Sequence, residues 1–339
     1  MTNKVDIFTD LENDIHNADI PEAKKNIMLK NVMNLRDRKI NIMITGATGA
    51  GKSSTINALF DMDVAKVGIG VDPETMEIQK YELDNLVLWD SPGLGDGKEA
   101  DNRHAKNIIK KLAECDEHGD ALIDLVLVIL DGSTRDLGTS YELINSVIIP
   151  NLGENAKNRI LVAINQCDVA MKGRYWNYSL NKPEPQLVKF LDEKAQSVRR
   201  RIMEGTGVDV EPIYYSAGWK EAGEKQNPYN LSKLLYFIIQ HTPKEKRLVY
   251  VNNVSKKQEV WRDNDELKDY SWEIKKSFAE TVRDYAAKGA DIGGAIGSIF
   301  GEAGETIGRT AGKIVGGGIA VIKSIRDAIG GMARNIFGF

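Results

Sequence analysis

The chain is poor in the features that mark a secreted or membrane-spanning protein. It has two cysteines, Cys115 and Cys167, in 339 residues, too few for a disulfide framework and in keeping with a reducing compartment. Its first residues, Met1-Thr2-Asn3-Lys4-Val5-Asp6, lack the apolar core of a signal peptide. No uncharged apolar run approaches the roughly 20 residues that a spanning helix requires. Positive charge is not in surplus either. Lys and Arg number 45 against 49 Asp and Glu, giving a net charge of −4, which argues against nucleic acid as the main partner. With 42% hydrophobic and 28% charged residues, the composition is that of a soluble globular protein, and a cytoplasmic location is expected.

What the chain does have is a glycine-rich turn in a telling place. Gly46-Ala47-Thr48-Gly49-Ala50-Gly51-Lys52-Ser53 follows the apolar run Ile40–Ile44 and precedes Ser54-Thr55-Ile56-Asn57-Ala58-Leu59-Phe60. Strand, turn and helix in that order are the context of the phosphate loop. Glycines let successive N–H groups converge on one anion, and the helix N-terminus adds partial positive charge. Lys52 is placed to reach the β- and γ-phosphates and Ser53 to ligate Mg²⁺, with Ser54 beside them.

Four further stretches fall at the expected distances. Thr75, in the polar segment Val71–Thr75, is positioned for a switch whose hydroxyl meets Mg²⁺ and whose N–H meets the γ-phosphate. The run Leu86–Trp89 ends in Asp90-Ser91-Pro92-Gly93. A carboxylate at that strand end holds Mg²⁺ through a water, and the Gly93 N–H meets the γ-phosphate and loses it on hydrolysis. The strand Arg159–Ile164 ends in Asn165-Gln166-Cys167-Asp168, and Pro212–Tyr215 ends in Ser216-Ala217. Asp168 suits the two donors on one edge of guanine. Adenine would leave that carboxylate unpaired, a cost of about 1–3 kcal/mol. Asn165 is expected to tie this loop to the phosphate loop, and the Ala217 N–H to meet guanine O6. His104 is read as a solvated residue at a helix start rather than as a general base. Tyr175 and Trp176, beside the base loop, are read mainly as local packing.

These motifs, over about residues 38–242, resemble the translation-factor-related P-loop GTPases of the Era-like and septin/AIG-like neighbourhood, including bacterial GTPases of the 50S ribosome-binding type. The resemblance implies an α/β G domain with a mostly parallel six-stranded sheet between helices. It also implies GTP/GDP and Mg²⁺ binding and slow hydrolysis. Lys52, Thr75 and Gly93 would be the catalytic positions, and Ser53, Thr75 and Asp90 the metal positions. Two departures stand out. Gln166 replaces the lysine that packs on the guanine plane, and Leu94 replaces the glutamine that orients water in Ras-like enzymes. The sequence of the phosphate loop is closest to septin- and immunity-type members, which implies a GTP-dependent homodimer.

Around this domain the sequence predicts appendages. Residues 1–37 read as a helical arm, with Ile7, Leu11 and Ile15 on one face, Ala23, Ile27, Met28 and Val32 on another, and Asp19 as a cap for the second helix. Residues 243–288 read as a charged linker leading to a helix near Trp272. Residues 289–339 hold 14 of the 31 glycines, spaced by four (Gly289, Gly293, Gly297, Gly301; then Gly304, Gly308, Gly312, Gly316). Small residues at that spacing let helix backbones approach closely. Glu302, Glu305, Arg309 and Lys313 exclude a simple span, so a helical hairpin with facing glycines is expected. An amphipathic end, with Ile322, Ile325, Ile329, Met332 and Ile336 on one face, suits an anionic membrane at the inner face of the cell. Self-association or docking on the G domain is the alternative use of this tail. The sequence therefore points to a nucleotide switch coupled to membrane or assembly. A ribosome-associated assembly GTPase with RNA as partner, and a nucleotide-gated membrane-active structural protein, are the rival readings.

Overall fold

The computed structural model describes residues 6–62, 77–93, 95, 97–221, 224–291 and 299–314. Thr75, Leu94 and the segment 315–339 lie outside the described residues.

In chain order the main elements are α1 (Ile7–Asn17), α2 (Glu22–Arg36), β1 (Ile40–Gly46), α3 (Lys52–Phe60), β2 (Gln79–Leu83), β3 (Leu86–Asp90), α4 (Lys98–Leu112), β4 (Leu125–Asp131), α5 (Gly138–Glu142), β5 (Ile160–Asn165), α6 (Pro185–Thr206), β6 (Ile213–Tyr214), α7 (Leu231–Gln240), α8 (Val249–Asn253), α9 (Tyr270–Thr281) and α10 (Gly301–Ile314). The strands form a six-stranded sheet in the order β2–β3–β1–β4–β5–β6. Every pairing is parallel except β2 with β3. This is the mixed α/β architecture expected of a P-loop G domain.

Alternation along the central strands sorts the core into two layers. Leu125, Leu127 and Ile129 of β4 face a cluster that includes Ile56 of α3 and Leu234 of α7, while Val126, Val128 and Leu130 face one that includes Ile108 of α4 and Leu191 of α6. The first layer also takes in the arm and the C-terminal helices. Ile7, Leu11 and Ile15 of α1 are fully buried there, as are Met28 and Val32 of α2. Ile27, predicted on that face, is instead exposed. The cap of α2 is Pro21 rather than Asp19.

Residues 243–288 are not a linker. Leu248, Val249, Tyr250, Val251, Val254, Trp261, Ile274 and Phe278 all belong to the same core. The buried Trp261 indole donates to the Ser255 carbonyl at 2.9 Å. The charges that suggested a linker sit outside this apolar lining, as with Lys257, which pairs with Asp61 at the surface.

In the tail, residues 301–314 are helical, while Gly293 and Gly297 of the expected hairpin lie outside the described residues. Helix α10 packs on α1 and α9, burying Phe300, Ala303 and Ile307. No described helix is long and apolar enough to cross a membrane.

Candidate nucleotide site

The parallel sheet brings the loops at the strand C-termini to one edge, where ligands of such sheets bind. Register does much of the positioning. Asp90 of β3 is paired with Ile44 of β1, and the Ser91 N–H bonds the Ile44 carbonyl at 2.9 Å. The end of β3 is thereby held against the start of the phosphate loop. Likewise Asp131 of β4 pairs with Asn165 of β5, setting the base loop beside the loop after β4.

Two glycines of the phosphate loop are required by close approach. A Cβ on Gly46 would lie 2.1 Å from the Ile129 carbonyl oxygen, and one on Gly51 would lie 2.3 Å from Asn165 Nδ2. Gly51 also has φ of 85°, a left-handed conformation that other residues adopt only at a cost. Gly51 opens α3, so the N–H groups of its first turn face the loop interior. Lys52 Nζ donates to the Gly46 and Ala47 carbonyls at 3.3 and 3.2 Å, which holds the ammonium over the loop.

The electrostatics of the site centre on Asp90. Its Oδ1 is buried without a hydrogen-bond partner among the described residues. Desolvation pushes its carboxyl up to about 6, with the Lys52 charge working in the opposite direction. A buried, partnerless carboxylate oxygen next to a phosphate loop fits a hydrated divalent cation. Among the described residues no three His, Cys, Asp or Glu side chains converge on a metal. The remaining ligands would therefore come from the Ser53 hydroxyl, water and phosphate. Gly93 lies directly against the phosphate loop, where a Cβ would come within 2.3 Å of Thr48 Oγ1 and 2.6 Å of Thr48 Cα.

The base loop is clamped to the phosphate loop twice. Asn165 Nδ2 donates to the Ala50 carbonyl at 2.9 Å, and Gln166 Nε2 donates to the Gly49 carbonyl at 2.7 Å. Asp168 is 4% exposed, and no described residue donates a hydrogen bond to its carboxylate. The N–H expected to meet guanine O6 has another partner. Ala217 N–H donates to Asn165 Oδ1 at 2.9 Å, and the next amide, Gly218 N–H, donates to Ser216 Oγ at 3.2 Å. The cause is loop geometry, because Asn165 sits between the two loops and satisfies both.

Three further contacts were not foreseen from the sequence. His104 is buried, 2% exposed, with Nδ1 3.2 Å from the Gly93 carbonyl. It lies on the same face of α4 as buried Ile108 and Leu112, a spacing of four that was visible in the sequence. Thr55 of α3 shares a 2.6 Å hydrogen bond with the buried Tyr215 hydroxyl, joining the phosphate-loop helix to the segment before Ser216. Lys194 of α6 donates to the Gly132 carbonyl at 2.7 Å, supporting the loop after β4. Trp176 is buried against Tyr229, edge to face, as local packing demands, whereas Tyr175 is exposed.

With this geometry in view, the comparisons with known proteins are direct. Residues 41–166 match the family described as the 50S ribosome-binding GTPase. The matched stretch runs from β1 to the end of β5 and is similar to P-loop GTPase domains. The chain is 30% identical over 157 residues to the uncharacterized protein YkfA of Escherichia coli (strain K12), covering 45% of this chain and 50% of that protein. It is 32% identical over 133 residues to the uncharacterized protein YfjP of the same strain, covering 38% of this chain and 42% of that protein. The chain thus spans half or less of the length of these curated relatives. Among solved structures it is similar to Toc33 from Arabidopsis thaliana in complex with Mg²⁺ and GMPPNP, at 14% identity and a TM-score of 0.38, covering 61% of this chain and 82% of that one.

Proposed function

We propose that the protein is a Mg²⁺-dependent GTP-binding switch that hydrolyses GTP to GDP and phosphate slowly. The observation that carries this reading is the buried Oδ1 of Asp90, partnerless beside a phosphate loop whose lysine is already in place. In this reading the phosphate-loop amides from Gly46 to Ser54 hold the phosphates, and Lys52 neutralises the charge between them. Ser53, Thr75 and Asp90 would hold the cation, which would neutralise charge on the phosphates. Asn165 and Gln166 fix the base loop, Asp168 reads the guanine edge, and Ser216 and Ala217 close the pocket around the base. The Ala217 amide first has to leave Asn165 if it is to reach guanine O6. Leu94 supplies no water-orienting amide, which supports slow turnover.

The test is calorimetric titration with GTP, GDP and ATP, with and without Mg²⁺, together with phosphate release. Tight, Mg²⁺-dependent GTP binding with weak ATP binding is expected. Asp168→Asn should reduce the GTP-over-ATP preference by about 10- to 100-fold. Equal affinity of the unaltered chain for ATP and GTP would remove the guanine assignment.

The finer readings concern partners. Exposed Tyr175, Tyr178, Leu180 and Trp219 follow the base loop in sequence or flank Ser216-Ala217, which supports a GTP-dependent homodimer across the nucleotide face. Docking of α10 on the arm supports an intramolecular role for the start of the tail. An anionic membrane at the inner face of the cell would then engage the tail only after that contact opens. The net charge of −4 counts against RNA as the partner.

A further inference from the structure

Helix α4 grips the chain just beyond β3 from two sides. The Gly95 N–H donates to Asp101 Oδ1 at 2.9 Å, and the Gly93 carbonyl receives His104 at 3.2 Å. The Ser91 N–H is already tied to β1. Ser91, Gly93 and Gly95 are therefore each held at one backbone atom, and of these three ties the one at Gly93 comes from a buried side chain. Since the Gly93 carbonyl can only accept, the buried ring must carry its proton on Nδ1.

Geometry makes that carbonyl consequential. Gly93 rests on Thr48 with no room for a Cβ, which sets its backbone directly against the phosphate loop. With its carbonyl fixed, glycine's free φ lets the preceding peptide turn its N–H toward or away from a terminal phosphate while the rest of the segment stays put. If the carbonyl were released, the same phosphate would have to order the whole segment and pay its entropy. His104 is also the one buried titratable side chain of α4, and the proposed chemistry otherwise makes no use of it.

We infer that His104 is a positioning residue for the second switch. By donating from Nδ1 to the Gly93 carbonyl it pre-sets Gly93 to recognise the terminal phosphate of a nucleoside triphosphate, and so sets the preference for triphosphate over diphosphate. This rests on the nucleotide assignment made above.

The experiment compares His104→Asn, whose amide reaches where Nδ1 sits, with His104→Gln, whose amide reaches toward Nε2, and His104→Leu, which has no donor. Each full-length variant is titrated with GMPPNP and GDP in Mg²⁺, its thermal midpoint is recorded, and kcat and KM for GTP are measured separately. His104→Gln and His104→Leu are expected to lose about tenfold in GMPPNP affinity, with GDP affinity held and KM raised, while His104→Asn retains most of the preference. A structural role would lower the thermal midpoint and weaken both nucleotides alike, in all three variants. That pattern, or an unchanged triphosphate-to-diphosphate ratio in His104→Gln and His104→Leu, overturns the inference. If His104→Gln or His104→Leu does not fold, the other of the two decides. Failure of the unaltered chain to bind either nucleotide would instead refute the nucleotide assignment itself.

Discussion

Asp90 and Asp14 are both carboxylates that burial lifts above their ordinary titration range, yet their surroundings are opposite. At the nucleotide edge, Asp90 Oδ1 has no partner. At the seam between arm and tail, Asp14 accepts the Glu302 and Ala303 N–H groups, each at 2.8 Å. It thereby caps the first turn of α10, while Asp10 receives the Thr306 hydroxyl. A satisfied buried carboxylate on a helix N-terminus is a structural joint. An unsatisfied one beside a phosphate loop is a site kept ready at the expense of stability. The two ends of the same core layer thus divide the work: one holds the chain together and the other waits for a ligand.

Substitution should separate the two with opposite signs. Asp90→Asn removes a buried charge whose folded-state value is about 6 against an ordinary 3.8. Above pH 6 that charge costs roughly 2–3 kcal/mol, so the variant is expected to melt several degrees higher without nucleotide, while Mg²⁺ no longer strengthens its GTP binding. A lower melting temperature would mean that the carboxylate stabilises the empty protein, and the contrast with Asp14 would fail.

The pH dependence carries the same sign. The folded value exceeds the unfolded one, so the burden of Asp90 is full above pH 6 and lifts as pH falls from 6 toward 4. The empty protein should therefore gain stability from this group on acidification. The Mg²⁺ contribution to GTP affinity should meanwhile drop about tenfold per pH unit below 6, as protons compete with the cation. Both trends should flatten in Asp90→Asn, and a Mg²⁺ effect unchanged down to pH 5 would show that Asp90 is not at the cation.

Asp14→Ala is expected to do the reverse. It leaves two N–H groups at the start of α10 without their acceptor and should cost about 1–3 kcal/mol. Loss of hydrogen-exchange protection is expected first over residues 299–314, with GTP affinity preserved. Uniform loss of protection across the sheet would show that the seam is not a separate joint.

The contrast also explains what was legible in the sequence. The phosphate loop, Asp90 and the base loop are written locally: a turn that demands glycine, a strand that ends, a polar residue at its tip. The mostly parallel six-stranded sheet came with the resemblance those motifs carry, while its strand order came from the structure. The seam is written across almost the whole chain. Asp10 and Asp14, four apart on α1, carry no local signal of their role, because the amide that Asp14 accepts lies 289 residues away. The glycines of α10 read as one face of a helical hairpin because small residues permit close backbone approach. Here they lie on a helix that packs within the protein. Trp261 was hidden by the charges around it. That the Ala217 amide is held by Asn165 depends on how two loops meet, which no spacing in one segment records.

The smallest effect tests the most conspicuous departure from the family pattern. Gln166 is held at φ 60°, and its Nε2 bonds the Gly49 carbonyl at 2.7 Å, so it already ties the base loop to the phosphate loop. Gln166→Lys would keep a donor for that carbonyl and add methylene length to cover the base. Shielding one or two such groups is worth about 1 kcal/mol, or roughly a fivefold gain in affinity. Because the base is common to both nucleotides, GTP and GDP should gain equally. Gln166→Ala, which removes the tie altogether, should weaken both. A lysine variant that favours one nucleotide over the other would place residue 166 at the phosphates rather than the base, and the division of labour along this edge would have to be redrawn.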